Sequence, residues 1–384
     1  MPIALYSLSS SLHKGMPETG ADPFILGIEA CLDGKFRLFG EAFSTYGEFP
    51  DSVIFVRTGG TEDLFRQLGL TGHIRLLTSG GDNSLAAAME ILSFIRQNGG
   101  TGEIIHGTCS QAAESLRKGI NHGDAGRWIR PFPGVDLGGA RLGVIGHPSD
   151  WLISSSVDYA KVKSSFNAEM VDVGMDELIS EIMTHKCDMR SFEGSEAIYM
   201  ALCRIVERYR LDGLTIRCFD LLDSVRNTGC LALARLNTAG IPSSCEGDIP
   251  ALLTMMTAYR KTGCPGFQCN LSRIEGDDLL FAHCTVPLSM VTGYSYDTHF
   301  ESGIGTAIKG KLPEGDVTIF KIAPDLENMV AIPARLTANR SETCLCRTQV
   351  VVNAPDAAGY FLNTPLANHH VIVPGAIFQE GKGA

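Results

Sequence analysis

His73-Ile74-Arg75-Leu76-Leu77-Thr78-Ser79-Gly80-Gly81-Asp82-Asn83-Ser84-Leu85 is the stretch from which the fold is read. Its first six residues form a short β-rich run that Gly80-Gly81 closes. Asp82-Asn83-Ser84 then offers capping side chains to a helix carrying Leu85, Met89, Leu92 and Ile95 on roughly one face. Strand, turn and amphipathic helix in that order make a βα unit of a parallel sheet. Upstream, Ser52-Val53-Ile54-Phe55-Val56-Arg57 is a second strand-like run, bounded by Gly59-Gly60. Free N–H groups in Ser79-Gly80-Gly81-Asp82 would suit an anion, but the turn matches neither a Walker A loop nor G-x-G-x-x-G, and an ordinary turn is the reading adopted.

Outward from there the same grammar repeats. Pro131-Phe132-Pro133-Gly134 reads as a linker, and a new α/β unit begins at Ala140-Arg141-Leu142-Gly143-Val144-Ile145-Gly146. Helical patterns near 154–166 and 194–210 lead to strands at Glu169-Met170-Val171-Asp172-Val173 and Leu214-Thr215-Ile216-Arg217-Cys218-Phe219. Further helices at 227–239 and 249–261 bracket Ile241-Pro242-Ser243-Ser244-Cys245-Glu246. From Gly263 onward convincing helices stop. Short apolar runs at 279–283, 317–322, 329–333, 347–352 and 371–373 suit an antiparallel β domain or partial barrel. The expectation is an α/β protein with two doubly wound, Rossmann-like parallel-sheet domains, residues 1–135 and 136–262, followed by a mainly antiparallel β domain, residues 263–384.

Composition narrows the class. A chain of 384 residues, 44% hydrophobic and 20% charged, is long enough for two or three packed units and lacks the polar bias of disorder. No stretch approaches the roughly 20 apolar residues of a membrane helix. Met1-Pro2-Ile3-Ala4 lacks the basic and apolar regions of an export signal, so a cytoplasmic location without a membrane partner is expected. A net charge of -11 argues against nucleic acid as a partner, because phosphate contacts need clustered Lys and Arg. The twelve cysteines are scattered and read as reduced thiols. Cys344 and Cys346 would share a face if their stretch is a strand, but no further thiols lie nearby to complete a zinc site.

Three segments carry candidate chemistry. Cys245-Glu246-Gly247-Asp248-Ile249-Pro250 joins a strand or turn to a helix, at the carboxyl end of a sheet where ligands collect. Asp248 reads first as the helix cap, with Pro250 in the first turn, whereas Glu246 has no local duty. His283 ends an apolar strand in Phe281-Ala282-His283-Cys284-Thr285-Val286-Pro287, and His369 begins one in Ala367-Asn368-His369-His370-Val371. Glu246, His283 and His369 together form a mixed oxygen and nitrogen set suited to a divalent metal, Mn²⁺ before Co²⁺ or Mg²⁺. Arg217 and Asp220 bracket a strand end, where they either meet a substrate or pair with each other. His299 or Glu301, in Asp297-Thr298-His299-Phe300-Glu301-Ser302-Gly303, either faces a substrate or stabilises its loop.

Cys245-Glu246-Gly247-Asp248, with Ala251-Leu252-Leu253-Thr254-Met255 after it, resembles the metal-site segment of the L-fucose/L-arabinose isomerase group, and in particular its shorter fucose-isomerase-like members. The segments around His283 and His369 resemble the ligand histidines of that group. Thr78–Leu85 and Val144–Leu152 resemble its two N-terminal domains. The resemblance implies an aldose–ketose isomerase acting on a sugar through an enediol, with Glu246 as metal ligand and proton shuttle. It also implies a homo-oligomer, trimer or hexamer, in which one subunit closes the site of another. One position departs from the pattern. Where the group carries a second acid, Phe267-Gln268-Cys269-Asn270-Leu271-Ser272-Arg273 has Asn270, which offers a carbonyl oxygen but takes no proton. The acid partner is thereby left open among Asp248, metal-bound water and a neighbouring subunit. A binder without catalysis, or an epimerase or lyase using the same metal enediolate, stands as the alternative.

Overall fold

The computed structural model describes residues 3–10, 16–119 and 125–378; Met1 and Pro2, on which the reading of the N-terminus partly rests, lie outside them. The βα unit is present as expected. Strand His73–Thr78 is followed by helix Ser84–Gln97 in a five-stranded, all-parallel sheet ordered Arg37–Gly40, Ala4–Leu8, Ser52–Val56, His73–Thr78, Thr101–Ile105. Successive side chains feed opposite faces: Tyr6, Ile54 and Leu76 pack with Leu85, Met89 and Leu92, while Leu5, Phe55 and Leu77 pack with Ile25, Ala112 and Leu116. Helices therefore cover both faces, which explains why these strands read as continuous apolar runs.

A second parallel sheet of four strands runs Ser243–Ser244, Gly213–Ile216, Arg141–Ile145, Glu169–Val173. Leu142 and Val144 pack on Leu252 and Met256, and Ile145, Leu214 and Ile216 on Ile198, Leu202 and Leu233. The third sheet is antiparallel and barrel-like. Among the described residues its strands run Gly315–Ile322, His370–Pro374, Phe267–Glu275, Asp278–His283, Thr348–Asn353 and Asn328–Arg340, the last of which pairs back onto the first. Strand Ile129–Pro131 adds to this sheet through Asn328–Val330, so that stretch is joined to the C-terminal β-sheet rather than to the N-terminal one.

Helix Ser84–Gln97 is buried on more than the one face that Leu85, Met89, Leu92 and Ile95 mark out. Its residues from Ser84 to Ser93 are all buried, because the helix lies between the first parallel sheet and the barrel and packs on Phe267, Leu271, Phe281 and Phe361 as well. Its start also differs. The Asn83 side chain makes no cap bond, and its Nδ2 donates instead to Glu301 Oε1 at 2.7 Å. Midway along, the wholly buried Glu90 accepts from the backbone N–H of Ser154 (2.7 Å) and of Asn368 (2.9 Å), tying the second unit and the barrel to the first. In the Ser79–Asp82 turn the amides of Ser79 and Asp82 are spent on Ser84 Oγ and Cys344 O, as suits an ordinary turn. Cys344 and Cys346 lie in a turn rather than a strand, the first exposed and the second buried, so they do not share a face.

Candidate metal centre

Glu246 follows the two-residue strand Ser243–Ser244 and precedes helix Ile249–Thr262. Its backbone is left-handed (φ +66°), an unfavourable conformation for a residue with a Cβ, and the surroundings enforce it. Ser149 N–H donates to Glu246 O, Gly247 N–H to Ile216 O, and Gln268 Oε1 accepts from Cys245 N–H. Gly247 (φ +69°) is required here: a Cβ would lie 2.6 Å from His147 O and 2.7 Å from Pro148 Cα. The loop that crowds Gly247 also supplies Trp151, whose Nε1 donates to Glu246 Oε2 at 2.6 Å.

The barrel brings the remaining groups. Cys269 pairs with His370 and Asn270 with Ala282, so Asn270, inside strand Phe267–Glu275, is flanked by His283 at the end of one neighbouring strand and by His369 just before the start of the other. His369 Nε2 lies 3.4 Å from Glu246 Oε1 and His283 Nε2 lies 4.0 Å from the same oxygen. The two imidazoles meet edge to face at 5.5 Å between centroids. Each ring is held by its far nitrogen, His369 Nδ1 by Asp248 Oδ2 and His283 Nδ1 by Thr285 Oγ1, both at 2.8 Å. With those nitrogens donating, both Nε2 atoms are directed at the glutamate as ligands would be.

Asp248 performs two tasks. Its Oδ1 caps helix Ile249–Thr262 by accepting from Ala251 N–H at 2.7 Å, as the sequence suggested, while Oδ2 holds His369. It is wholly buried, stands behind His369 as that ring does behind Glu246, and is not among the residues that line the adjoining cavity. Burial alone would raise the Glu246 carboxyl and lower His369. Their mutual attraction outweighs it, with the other imidazole assisting Glu246 and Asp248 assisting His369: Glu246 is held far below the usual carboxylate range and His369 is raised to about 10.

Two buried atoms in this group lack a hydrogen-bond partner: His369 Nε2 and Asn270 Oδ1. Buried polar atoms seldom go unpaired; a divalent cation would displace the Nε2 proton that the raised pKa leaves on the metal-free His369 ring, and would take that nitrogen together with the Asn270 carbonyl oxygen. Cys245 Sγ, Glu246 and His283 also come within 4.8 Å of one another. Cys245 is the poorer third ligand, because contact with Cys218 Sγ at 2.9 Å and burial raise its thiol well above the ordinary range. His369 fits better.

The cavity beside these groups is walled by all three parts of one chain: Gly59, Gly60, Glu62, Asn83, Ala86 and Ala87 from the first, Trp151, Phe219 and Glu246 from the second, Asn270, Glu301 and Asn368 from the third. Arg217, Asp220 and His299 are not brought to its wall. The Arg217 guanidinium is spent on Asp220 (3.0 Å), Asp150 (2.7 Å) and Pro148 O (2.8 Å), the internal pairing that was the other reading of this segment. His299 bonds Ser302 and stacks edgewise behind Phe219. Glu301, two residues on, does reach the cavity. Sequence reasoning missed Glu62, although Gly59-Gly60-Thr61-Glu62 follows the carboxyl end of a parallel strand, and missed Trp151 as the holder of Glu246.

No protein-family model matches the chain. Over 187 residues it is 24% identical to the sulfoquinovose isomerases of Priestia aryabhattai and Priestia megaterium, a match covering 46% of this chain and 42% of each relative. The chain thus spans under half the length of the curated relatives it matches, and at that level it is similar to sugar isomerases.

Proposed function

We propose that this protein is a metal-dependent aldose–ketose isomerase acting on a sugar or modified sugar through an enediol intermediate. One observation carries the reading: a single carboxylate, Glu246, stands against two oriented imidazoles, next to the unpaired Asn270 oxygen and at the wall of a cavity. The similarity to sugar isomerases supports the reaction class. It does not choose the sugar.

Glu246, His283, His369 and Asn270 would hold the cation, Mn²⁺ before Co²⁺ or Mg²⁺. When bound it would supply Lewis-acid stabilisation of the charge that develops on sugar O1 and O2. Glu246 takes the C2 proton of the open-chain aldose and returns it to C1. Trp151 holds Glu246 Oε2 and leaves Oε1 facing the two imidazoles. Asp248 keeps His369 in one tautomer, and the Trp151 and Phe219 rings, packed edge to face at 4.8 Å, present apolar surface to the cavity and help to exclude water. A trimer or hexamer in a cytoplasmic setting remains part of the proposal. Light scattering decides the assembly.

Asn270, at a position where the resembled isomerases carry an acid, favours one alternative, a sugar binder without catalysis. Incubation with Mn²⁺ and a panel of aldoses in deuterated water separates the readings. Ketose with deuterium at C2 of the recovered aldose supports the isomerase. Exchange without ketose indicates an epimerase, and binding without exchange indicates a binder.

A further inference from the structure

We propose that Glu62 is the acid partner of Glu246, passing a proton to and from the sugar oxygens across the cavity. The assignment rests on the isomerase reading and fills the gap left by Asn270. Glu62 opens helix Glu62–Leu68, after Gly59-Gly60 at the carboxyl end of strand Ser52–Val56, and lines the cavity that Glu246 and Asn270 also line. Its residue is 3% exposed, its Oε2 has no hydrogen-bond partner, and no ion pair reaches it among the described residues.

The neighbouring acids are committed elsewhere. Glu301 Oε1 accepts from Asn83, Glu90 holds the Ser154 and Asn368 amides, and Asp248 holds Ala251 and His369. Glu62 alone among these keeps an uncommitted buried oxygen at the cavity wall. In the metal-free chain burial first, and then Glu90, Glu246 and Glu301 as neighbours, outweigh a backbone hydrogen bond and raise its pKa well above the ordinary value, favouring the neutral carboxyl. A neutral carboxyl is a proton donor, which the Asn270 amide is not.

The step balances without a co-reactant. Glu246 removes the C2 proton, the C2–H electron pair forms the C1=C2 bond, and the carbonyl electrons move to O1, which takes the Glu62 proton. Glu62, now a carboxylate, takes the O2 proton as C2=O forms, and the Glu246 proton goes to C1. Both side chains end as they began.

Glu62→Gln keeps size and polarity but cannot transfer a proton. With Mn²⁺ and the aldose the wild type converts best, E62Q should lose at least about 100-fold in kcat, with a smaller change in KM and an unaltered melting-temperature response to Mn²⁺. The infrared difference between wild type and E62Q at neutral pH should contain the carbonyl stretch of a protonated carboxyl. Glu62→Asp, an acid one methylene shorter, should keep that band and part of the turnover, and it serves if E62Q does not fold. An active wild type that E62Q matches within about threefold, or no protonated-carboxyl band, overturns the Glu62 assignment alone. A wild type that neither isomerises nor exchanges any aldose overturns the isomerase reading, and the role of Glu62 with it.

Discussion

Replacing Asn270 with aspartate tests the proposed ligand set most directly, because the change should act with opposite sign in the two metal states. Asn270 is 5% exposed, its Oδ1 is unpaired, and it shares a cavity wall with Glu246. Two unit charges about 4 Å apart at an effective dielectric of 20 interact by roughly 4 kcal/mol, a floor for a carboxylate that touches a divalent cation. With a cation bound, the new carboxylate is attracted by that order. Desolvation returns part of the gain, leaving about 1.5–3 kcal/mol, or ten- to more than a hundredfold in Kd for Mn²⁺. Without metal the same charge faces Glu246, and the protein must bear the repulsion or protonate one acid, so the EDTA-treated variant should melt below EDTA-treated wild type. Calorimetric titration with Mn²⁺ and thermal melts in Mn²⁺ and in EDTA give both signs. Equal Kd values and equal melts would remove Asn270 from the ligand set, leaving Glu246, His283 and His369. If affinity rises and single-turnover rate does not, the added carboxylate stabilises the ground state as much as the transition state, as expected where the acid is supplied from elsewhere.

The other predictions concern the groups around that centre. Mn²⁺ at about 100 times its Kd should stabilise the wild type by about 2.7 kcal/mol, an increment that His369→Ala abolishes in thermal melts. His370→Ala should keep the increment while losing roughly 1–3 kcal/mol of stability, since both ring nitrogens are bonded within the core, to Tyr360 Oη and Asn368 O at 2.8 Å each; equal loss of the metal effect in both variants would mean the wrong histidine has been chosen. Trp151→Phe removes the donor to Glu246 Oε2 and should lower kcat on the order of tenfold with little change in melting temperature; unchanged kcat would refute its holding role. His106 should make the fold acid-sensitive. Burial, aided by Arg273, lowers its pKa to about 4 from 6.5, and its Nε2 accepts from Ile274 N–H. Because the folded value is depressed, stability is full above pH 6.5 and declines as pH falls toward 4. The loss is at most about 3 kcal/mol, reduced by the ring's partial exposure, and denaturant midpoints for wild type and His106→Gln across that window should converge as acid is added. Parallel curves would refute the assignment.

The sequence alone determined those features whose signal is local. Short β-rich runs with glycine punctuation sufficed for the parallel strands at 52–56, 73–78, 141–145 and 169–173. The loss of helical periodicity after Gly263 sufficed for a C-terminal antiparallel sheet. Asp248 was legible as a helix cap because the cap bond reaches only from Asp248 to Ala251, three residues on. Glu246, His283 and His369 were named as one group, but their spacing carried no geometry. Only the folded chain sets two imidazoles 3.4 and 4.0 Å from one carboxylate oxygen, because that requires barrel strand ends to meet a turn of the second parallel sheet. Tertiary structure likewise decided where the remaining polar groups are spent. Asp248 turns out to hold His369 as well as its helix, Arg217 is consumed by Asp150 and Asp220, and Asn83 leaves its helix to bind Glu301. A side chain's available partners are fixed by what the rest of the chain packs against it, and for Glu62 the absence of a partner for Oε2 exists only once three sheets enclose it.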